Sequence, residues 1–351
     1  MHMADALISP AVGGVMWVAA AGLTALSARK LREEMDDRKT PLMGVLGALV
    51  FAAQMINFTI PGTGSSGHLG GAMLLAVLLG PYAAFLAMAS ILTIQALFFA
   101  DGGLLALGCN IINMGFFPCF IAFPLIYKRI AKSGPDRKRI LPAAMAASIV
   151  GLQLGAIGVV SETFFSGISD LSFKTFVLLM LPIHLAIGIV EGFVTASVVG
   201  FVGKTHPEVL EMADESSKSN RISLKPVLIA LVVIAALTGG FLSWFASTNP
   251  EGLEWSMARS SGNKAMPGPQ GQIHSLLSRL QEKTAFLPDY GFRKDKAEGT
   301  ATSEGKKENG EPWPCVSAGT SVSGLLGGVM SLVLVGLIGL GIRTLQRRKP
   351  K

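Results

Sequence analysis

Charge is scarce in this chain. Asp, Glu, Lys and Arg make up 15% of its 351 residues, half are hydrophobic, and the mean hydropathy is +0.51. A soluble domain carries about a quarter charged residues, so a soluble globular fold is excluded. Cysteine is scarcer still. Cys109, Cys119 and Cys315 have no paired spacing, which leaves no disulfide framework and no thiolate zinc or redox motif; Cys109 and Cys119, in or beside an apolar stretch, read as small packing residues. The net charge of +7 does not point to nucleic acid, because the Lys and Arg clusters border apolar runs, where they set topology.

What is present is a series of uncharged apolar stretches, several of the roughly 20 residues that a helix needs to cross about 30 Å of hydrocarbon. The expected fold is an all-α membrane protein: seven helices in a substrate-binding module (residues 1–203), a cytoplasmic linker (204–225) and a two-helix module (226–351) with a long extracytoplasmic loop at 247–320. The candidate spans are Ala11–Ala28, Pro41–Thr59, Leu69–Leu79, Tyr82–Ala100, Leu104–Tyr127, Leu141–Phe164, Phe176–Val202, Pro226–Phe245 and Ser321–Ile342. The third is too short to cross unaided and is expected to continue from a loop that dips into the bilayer, buried in protein. Within 247–320 the composition reads as largely flexible, most of all AEGTATSEGKKENGEP.

The clusters ARKLREEMDDRK, YKRIAKSGPDRKR and RTLQRRKPK are basic, whereas PGTGSSGH and DGG carry no Lys or Arg. The positive-inside rule then places the amino terminus outside and the carboxyl terminus in the cytoplasm.

That placement gives the opening Met-His a meaning. Methionine followed by bulky His is a poor substrate for methionine removal, so Met1 is expected to keep a free α-amine. The amine, the main-chain nitrogen of His2 and the His2 ring are three nitrogens on one short stretch. Amine to amide closes a five-membered chelate ring and amide to Nδ1 a six-membered one. Coplanar nitrogens suit Ni(II) or Cu(II). His68, in GTGSSGHLGG, lies on the same side with glycines that allow close approach of the backbone, and offers a fourth nitrogen. Taken singly, a solvated terminal His2 and a His68 bonded to its own backbone are the plainer readings.

His184 and Glu191 are seven residues apart and share a helix face; a structural hydrogen-bond role competes with guiding a cation. Thr63, Ser65, Ser66, Asn57 and Gln95 are candidates to orient the metal ligands, and Gln54, Asn110 and Asn113 also recur in apolar spans, where they can equally act as interhelical glue. Two motifs are decoys. GFVGKT has Val198 where a nucleotide loop needs Gly, and neither Ser65 nor Ser66 sits in G-x-S-x-G.

MHMADALISP, PGTGSSGHLGG, QALFFADGGLLALGCNIINMG and IHLAIGIVEGFVTA resemble the CbiM/NikM membrane components of energy-coupling-factor nickel and cobalt importers, over about Met1 to Val202. STNPEGLEWS and LPDYGF resemble the small two-span N component, here fused behind it. Glu251 stands where that family usually has Asp, and Met3-Ala4-Asp5-Ala6 where Ile-Pro-Asp-Gly is commoner. The resemblance implies a transported Ni(II), or Co(II), held by the Met1 amine, the main-chain nitrogen and ring of His2, and the ring of His68. It further implies a prokaryotic inner-membrane location, a transmembrane coupling (T/Q) subunit and two cytoplasmic ATPases, with no catalysis by this chain. Two other classes stay open: a self-sufficient cation channel or secondary transporter using His184, Glu191 and Glu162, and an intramembrane hydrolase.

Overall fold

The structure, a computed structural model, describes residues 1–34, 39–131, 137–169, 171–205, 224–262, 271–293 and 313–347. Apart from one small hairpin the regular structure is helical. In chain order the helices are α1 (Pro10–Glu34), α2 (Lys39–Gln54), α3 (Ala72–Leu79), α4 (Pro81–Phe99), α5 (Leu107–Ala131), α6 (Arg137–Ser166), α7 (Phe173–Thr205), α8 (Lys225–Gly240), α9 (Gly252–Ser260), α10 (Gln272–Thr284) and α11 (Ala318–Arg347). Among the described residues α1, α4, α5, α6, α7 and α11 are long and apolar enough to cross a membrane, and α2 and α8 are shorter apolar helices.

Local chemistry sets several boundaries. Pro10 and Pro81 open α1 and α4, where a missing N–H costs nothing. Gly80, at φ +82°, separates α3 from α4. Over Ile112–Tyr127 the turns of α5 widen to π-helix, and this stretch contains Pro118 and Pro124. Neither proline can donate to the usual ladder, and at the end of the stretch the Lys128 N–H reaches back five residues to Phe123.

The faces identify the solvent around the bundle. Along α11, Ser323, Gly324, Gly327, Gly328, Ser331 and Gly339 are buried while Val322, Leu325, Val329, Val333 and Leu337 point outward. Small residues inside and large apolar ones outside is the pattern of a helix packed against its neighbours in lipid. The second module is not a separate body: α11 packs on α2, its Gly327 against Phe51 and its Gly324 backbone against Gly239 of α8. A Cβ on Gly324 would collide with the Gly239 carbonyl, whereas Gly336 has nothing within 4 Å. Gly324→Val is therefore expected to cost about 1–3 kcal/mol by overpacking, seen as a lower melting temperature in detergent, and Gly336→Val is expected to cost little.

One expectation is met and two need correction. The third candidate span is an extended loop followed by the eight residues of α3, all buried; at 1.5 Å per residue α3 rises only about 12 Å, so it cannot cross. The end of the second span is no helix: α2 stops at Gln54, and Phe58–Ile60 (β1) pairs antiparallel with Ser65–Gly67 (β2), with Phe58 opposite Gly67 and Ile60 opposite Ser65. The Gly62 and Gly64 turn, both at φ +77°, makes this possible. Finally, the 247–320 segment is not flexible throughout, since α9, α10 and a turn at Pro288–Tyr290 lie in it. The stretch AEGTATSEGKKENGEP, and most of the linker, lie outside the described residues.

Candidate metal centre

The first nine residues form a plug rather than a tail. Met1, Met3, Leu7 and Ile8 are buried in the core. Main-chain bonds hold the plug: the Met3 N–H donates to Asn110 Oδ1 (2.8 Å), and the Met3 carbonyl accepts from the Gly103 N–H (2.8 Å). Asp5 Oδ1 accepts from the Ala106 N–H (2.9 Å). This segment is therefore placed by the loop between α4 and α5, and His2 has little freedom.

The tautomer of His2 follows from a relay that starts at a carbonyl. The Gly70 oxygen can only accept, so it takes its hydrogen bond from Gln54 Nε2 (2.8 Å). Gln54 Oε1 then accepts from Gln95 Nε2 (2.9 Å), which turns Gln95 Oε1 toward His2 Nε2 at 3.2 Å. An amide oxygen is an acceptor, so Nε2 carries the proton and Nδ1 is left with a lone pair. That nitrogen is buried without a hydrogen-bond donor and faces Asp101 Oδ1 at 3.2 Å. An acceptor facing a carboxylate across such a gap is suited to a cation between or beside them. Burial holds the His2 ring down to about 4, with Asp101 opposing the shift and His68 and the terminal amine reinforcing it. Near neutral pH the His2 ring is thus unprotonated and able to ligate a cation.

His68 is presented in the same manner. Its Nδ1 donates to the Leu69 carbonyl (2.9 Å), leaving Nε2 buried and without a hydrogen-bond partner among the described residues. A main-chain carbonyl on one ring nitrogen orients the other, as metal-binding histidines commonly require. The loop after it is clamped from α7, where the Glu191 carboxylate accepts from the N–H groups of Gly70 (2.8 Å) and Gly71 (3.2 Å). Gly71 adopts φ +80°, and a Cβ there would come within 2.5 Å of Val50, so the tight turn demands glycine.

The rings of His2 and His68 stack, with centroids 5.0 Å apart and planes 16° from parallel. A third group joins them from the second module. The stretch before α9 runs along the hairpin: the Ser66 N–H donates to the Pro250 carbonyl (2.8 Å), Ser66 Oγ to that of Asn249 (2.8 Å), and the Ser247 N–H to that of Asn57 (2.7 Å). This register puts Glu251 Oε2 3.6 Å from His68 Nε2, while Asn57 Nδ2 donates to Glu251 Oε1 (3.3 Å). Burial would raise the Glu251 carboxyl, but the facing His68, the terminal amine and His2 together hold it well below the usual carboxylate range. Asp101 is reached from the same module by the Tyr290 hydroxyl (2.5 Å), and Tyr290 stacks on Phe99.

One ligand atom from each of His2, His68 and Glu251 lies within 4.8 Å of the others. Ligands with bonds near 2.1 Å stand about 3–4 Å apart around one ion, so all three must draw inward for the group to close on one. Beside it is a space of about 10 Å³, lined by Met1, His68, His184, Met114, Glu251 and main chain at Gly67 and Gly70. That is room for the centre of one ion or water.

Of the candidates read from sequence, Met1 and His68 line this space, and His2, Gln95 and Asn57 lie on His68 or on groups that touch it. Ser66 anchors the second module. Thr63 and Ser65 do not reach the histidines: their hydroxyls bond each other (2.8 Å) in the hairpin turn. Glu191 is occupied by the Gly70 and Gly71 amides. Asp101, Tyr290 and the site role of Glu251 escape sequence reasoning, because each arrives from a segment remote from both histidines; Glu251 shows there only as a departure from Pro-Asp-Gly-Leu-Glu.

The sequence compares with known proteins in two blocks. The family described as the cobalt uptake substrate-specific transmembrane region, CbiM, matches residues 2–209, and the PDGLE domain matches residues 225–344. A protein of Archaeoglobus fulgidus, provisionally named fused nickel transport protein NikMN, is 36% identical over 68% of this chain and 74% of its own length. The fused nickel transport protein NikMN of Rhodobacter capsulatus is 31% identical over 83% of this chain and 88% of its own. The crystal structure of a truncated transition metal transporter superposes with a TM-score of 0.52 at 30% identity, covering 59% of this chain and all of that one.

Proposed function

The chain belongs to the CbiM family of cobalt uptake substrate-specific transmembrane regions, and from that premise we propose that it is the capture subunit of a nickel or cobalt importer. It is a multi-pass membrane protein and a transport component rather than an enzyme. The ion is the cargo. Four nitrogens bind it: the Met1 amine, the main-chain nitrogen and Nδ1 of His2, and Nε2 of His68. The observation that carries this reading is the pair of stacked, buried histidines, each with one ring nitrogen engaged and the other left without a hydrogen-bond partner.

Charge balance supports it. A divalent ion with one deprotonated amide leaves one positive charge, and a buried charge needs a partner. Glu251 supplies it at the rim of the site. Four nitrogens in a plane favour Ni(II), whose d8 configuration gains from that geometry, over Co(II).

Import against a gradient requires work that this chain has no nucleotide loop to perform. We assign that work to two cytoplasmic ATPases acting through a transmembrane coupling subunit, with the metal site facing outward and the basic carboxyl terminus in the cytoplasm of a prokaryotic inner membrane. The test is twofold. The purified chain is expected to hold one nickel with the yellow d–d band of a square-planar site, and vesicles containing this chain alone are expected to pass none. Nickel flux in those vesicles would support a channel instead, and failure to hold nickel would remove the capture role.

A further inference from the structure

His184, on α7, takes no part in the four-nitrogen site. Its side chain is fully buried, and Nδ1 lies 2.8 Å from the Met180 carbonyl one turn earlier. A carbonyl only accepts, so Nδ1 carries the proton and Nε2 bears the lone pair. Nε2 is buried and has no hydrogen-bond partner among the described residues. A purely structural histidine would be expected to satisfy both nitrogens, because a buried acceptor without a donor is destabilising.

His184 lines the same ion-sized space as Met1, His68 and Glu251. His184 and His68 are thus prepared alike, each with Nδ1 on a main-chain carbonyl and Nε2 without a hydrogen-bond partner among the described residues. The thioether of Met114 lines the space as well. The difference lies in what carries the two rings: His68 hangs from the loop that leads into α3, whereas His184 belongs to a membrane-spanning helix.

Resting on the capture reading, we propose that His184 Nε2, with His68 Nε2 and the Glu251 carboxylate, forms a second position for the same divalent ion, one ligand exchange beyond the terminal chelate. In that exchange the ion gives up the amine, the amide nitrogen and Nδ1 of His2, and the amide regains a proton from water. It keeps His68 and gains His184 and carboxylate oxygen. Two imidazoles, a carboxylate and a water make a tetrahedral rather than a planar set, which holds Ni(II) less firmly than four nitrogens in a plane. His184 is then the group that lets a closed site release its ion without first passing it to water.

The experiment removes the terminal chelate and uses Co(II), whose visible absorption reports tetrahedral coordination. The full-length His2→Ala chain is expected to bind one Co(II), at least 100-fold more weakly than the unaltered chain, with the intense absorption of a tetrahedral site. Adding His184→Leu is expected to weaken that binding a further tenfold or more and to erase the band. His184→Leu alone, and His184→Gln as a polar alternative, are expected to keep one nickel with an unchanged square-planar band, which shows that both are folded. The proposal is overturned if His2→Ala binds no Co(II), if adding His184→Leu changes nothing, or if the single His184 variants lose the planar band. Failure of the unaltered chain to bind nickel would instead strike the capture reading.

Discussion

One residue added ahead of Met1 is expected to destroy the tight nickel site while leaving the protein folded. An extension turns the α-amine into an amide, which is a poor donor at neutral pH, and so removes one end of the five-membered chelate ring. It also has nowhere to go: Met1 is 7% exposed, and its Cε lies 3.2 Å from where a Cβ on Gly155 would be. Changes beyond the ligands themselves commonly cost roughly 10–100-fold in metal affinity, so loss of a ligand together with displacement of the plug is expected to exceed 100-fold. The check is metal content after gel filtration together with the d–d band, with a melting curve to establish folding. An extended chain that keeps one nickel and the same band would make Met1 and His2 bystanders and move the site toward His68, His184 and Glu191.

The second large effect is expected from His68→Ala, and it should be more complete than that of His2→Ala. Nε2 of His68 belongs to the proposed four-nitrogen set and also to the proposed second position that includes His184, so its loss leaves neither. Nickel and Co(II) binding should both vanish. Folding should survive, because the loop keeps its other anchors: Gln54 on the Gly70 carbonyl, Glu191 on two amides and Ser66 on the second module. A His68→Ala chain that retains one tightly held metal per molecule would refute the site, and one that fails to fold would show that Leu69 needs the imidazole more than the metal does.

How far this was legible in the sequence depends on range. Apolar runs locate the long helices, since length and hydropathy are local properties, and Met-His and Ser-Gly-His announce nitrogen donors because the chelate rings are built from adjacent atoms. The hairpin at Phe58–Gly67 was hidden inside an apolar run: Phe58 and Ile60 satisfy a hydropathy window as well as a helix would, and only the Gly62 and Gly64 turn distinguishes them. In the 247–320 segment, α10 was masked by composition. His274 and Gln281 dock it, on the Ile8 carbonyl and on those of Ala96 and Gly102, and polar groups that find their acceptors nearly two hundred or more residues away look like solvated loop. Glu251 and Asp101 were invisible for the same reason, being carboxylates whose significance is set by what stands opposite.

The relay from the Gly70 carbonyl through Gln54 and Gln95 to His2 has a direction. Each amide has one giving end and one taking end, so no single link can be reversed without a clash of like ends at the next. The orientation imposed at Gly70 is transmitted whole, as in a row of dominoes, and the His2 tautomer is its last piece. Since Gly70 lies two residues beyond His68, the stretch that supplies one ligand also dictates the protonation of the other. A distortion of that stretch therefore does not impair one histidine in isolation; the pair is correct together or wrong together, and substitutions along the row can be tolerated only in compensating sets.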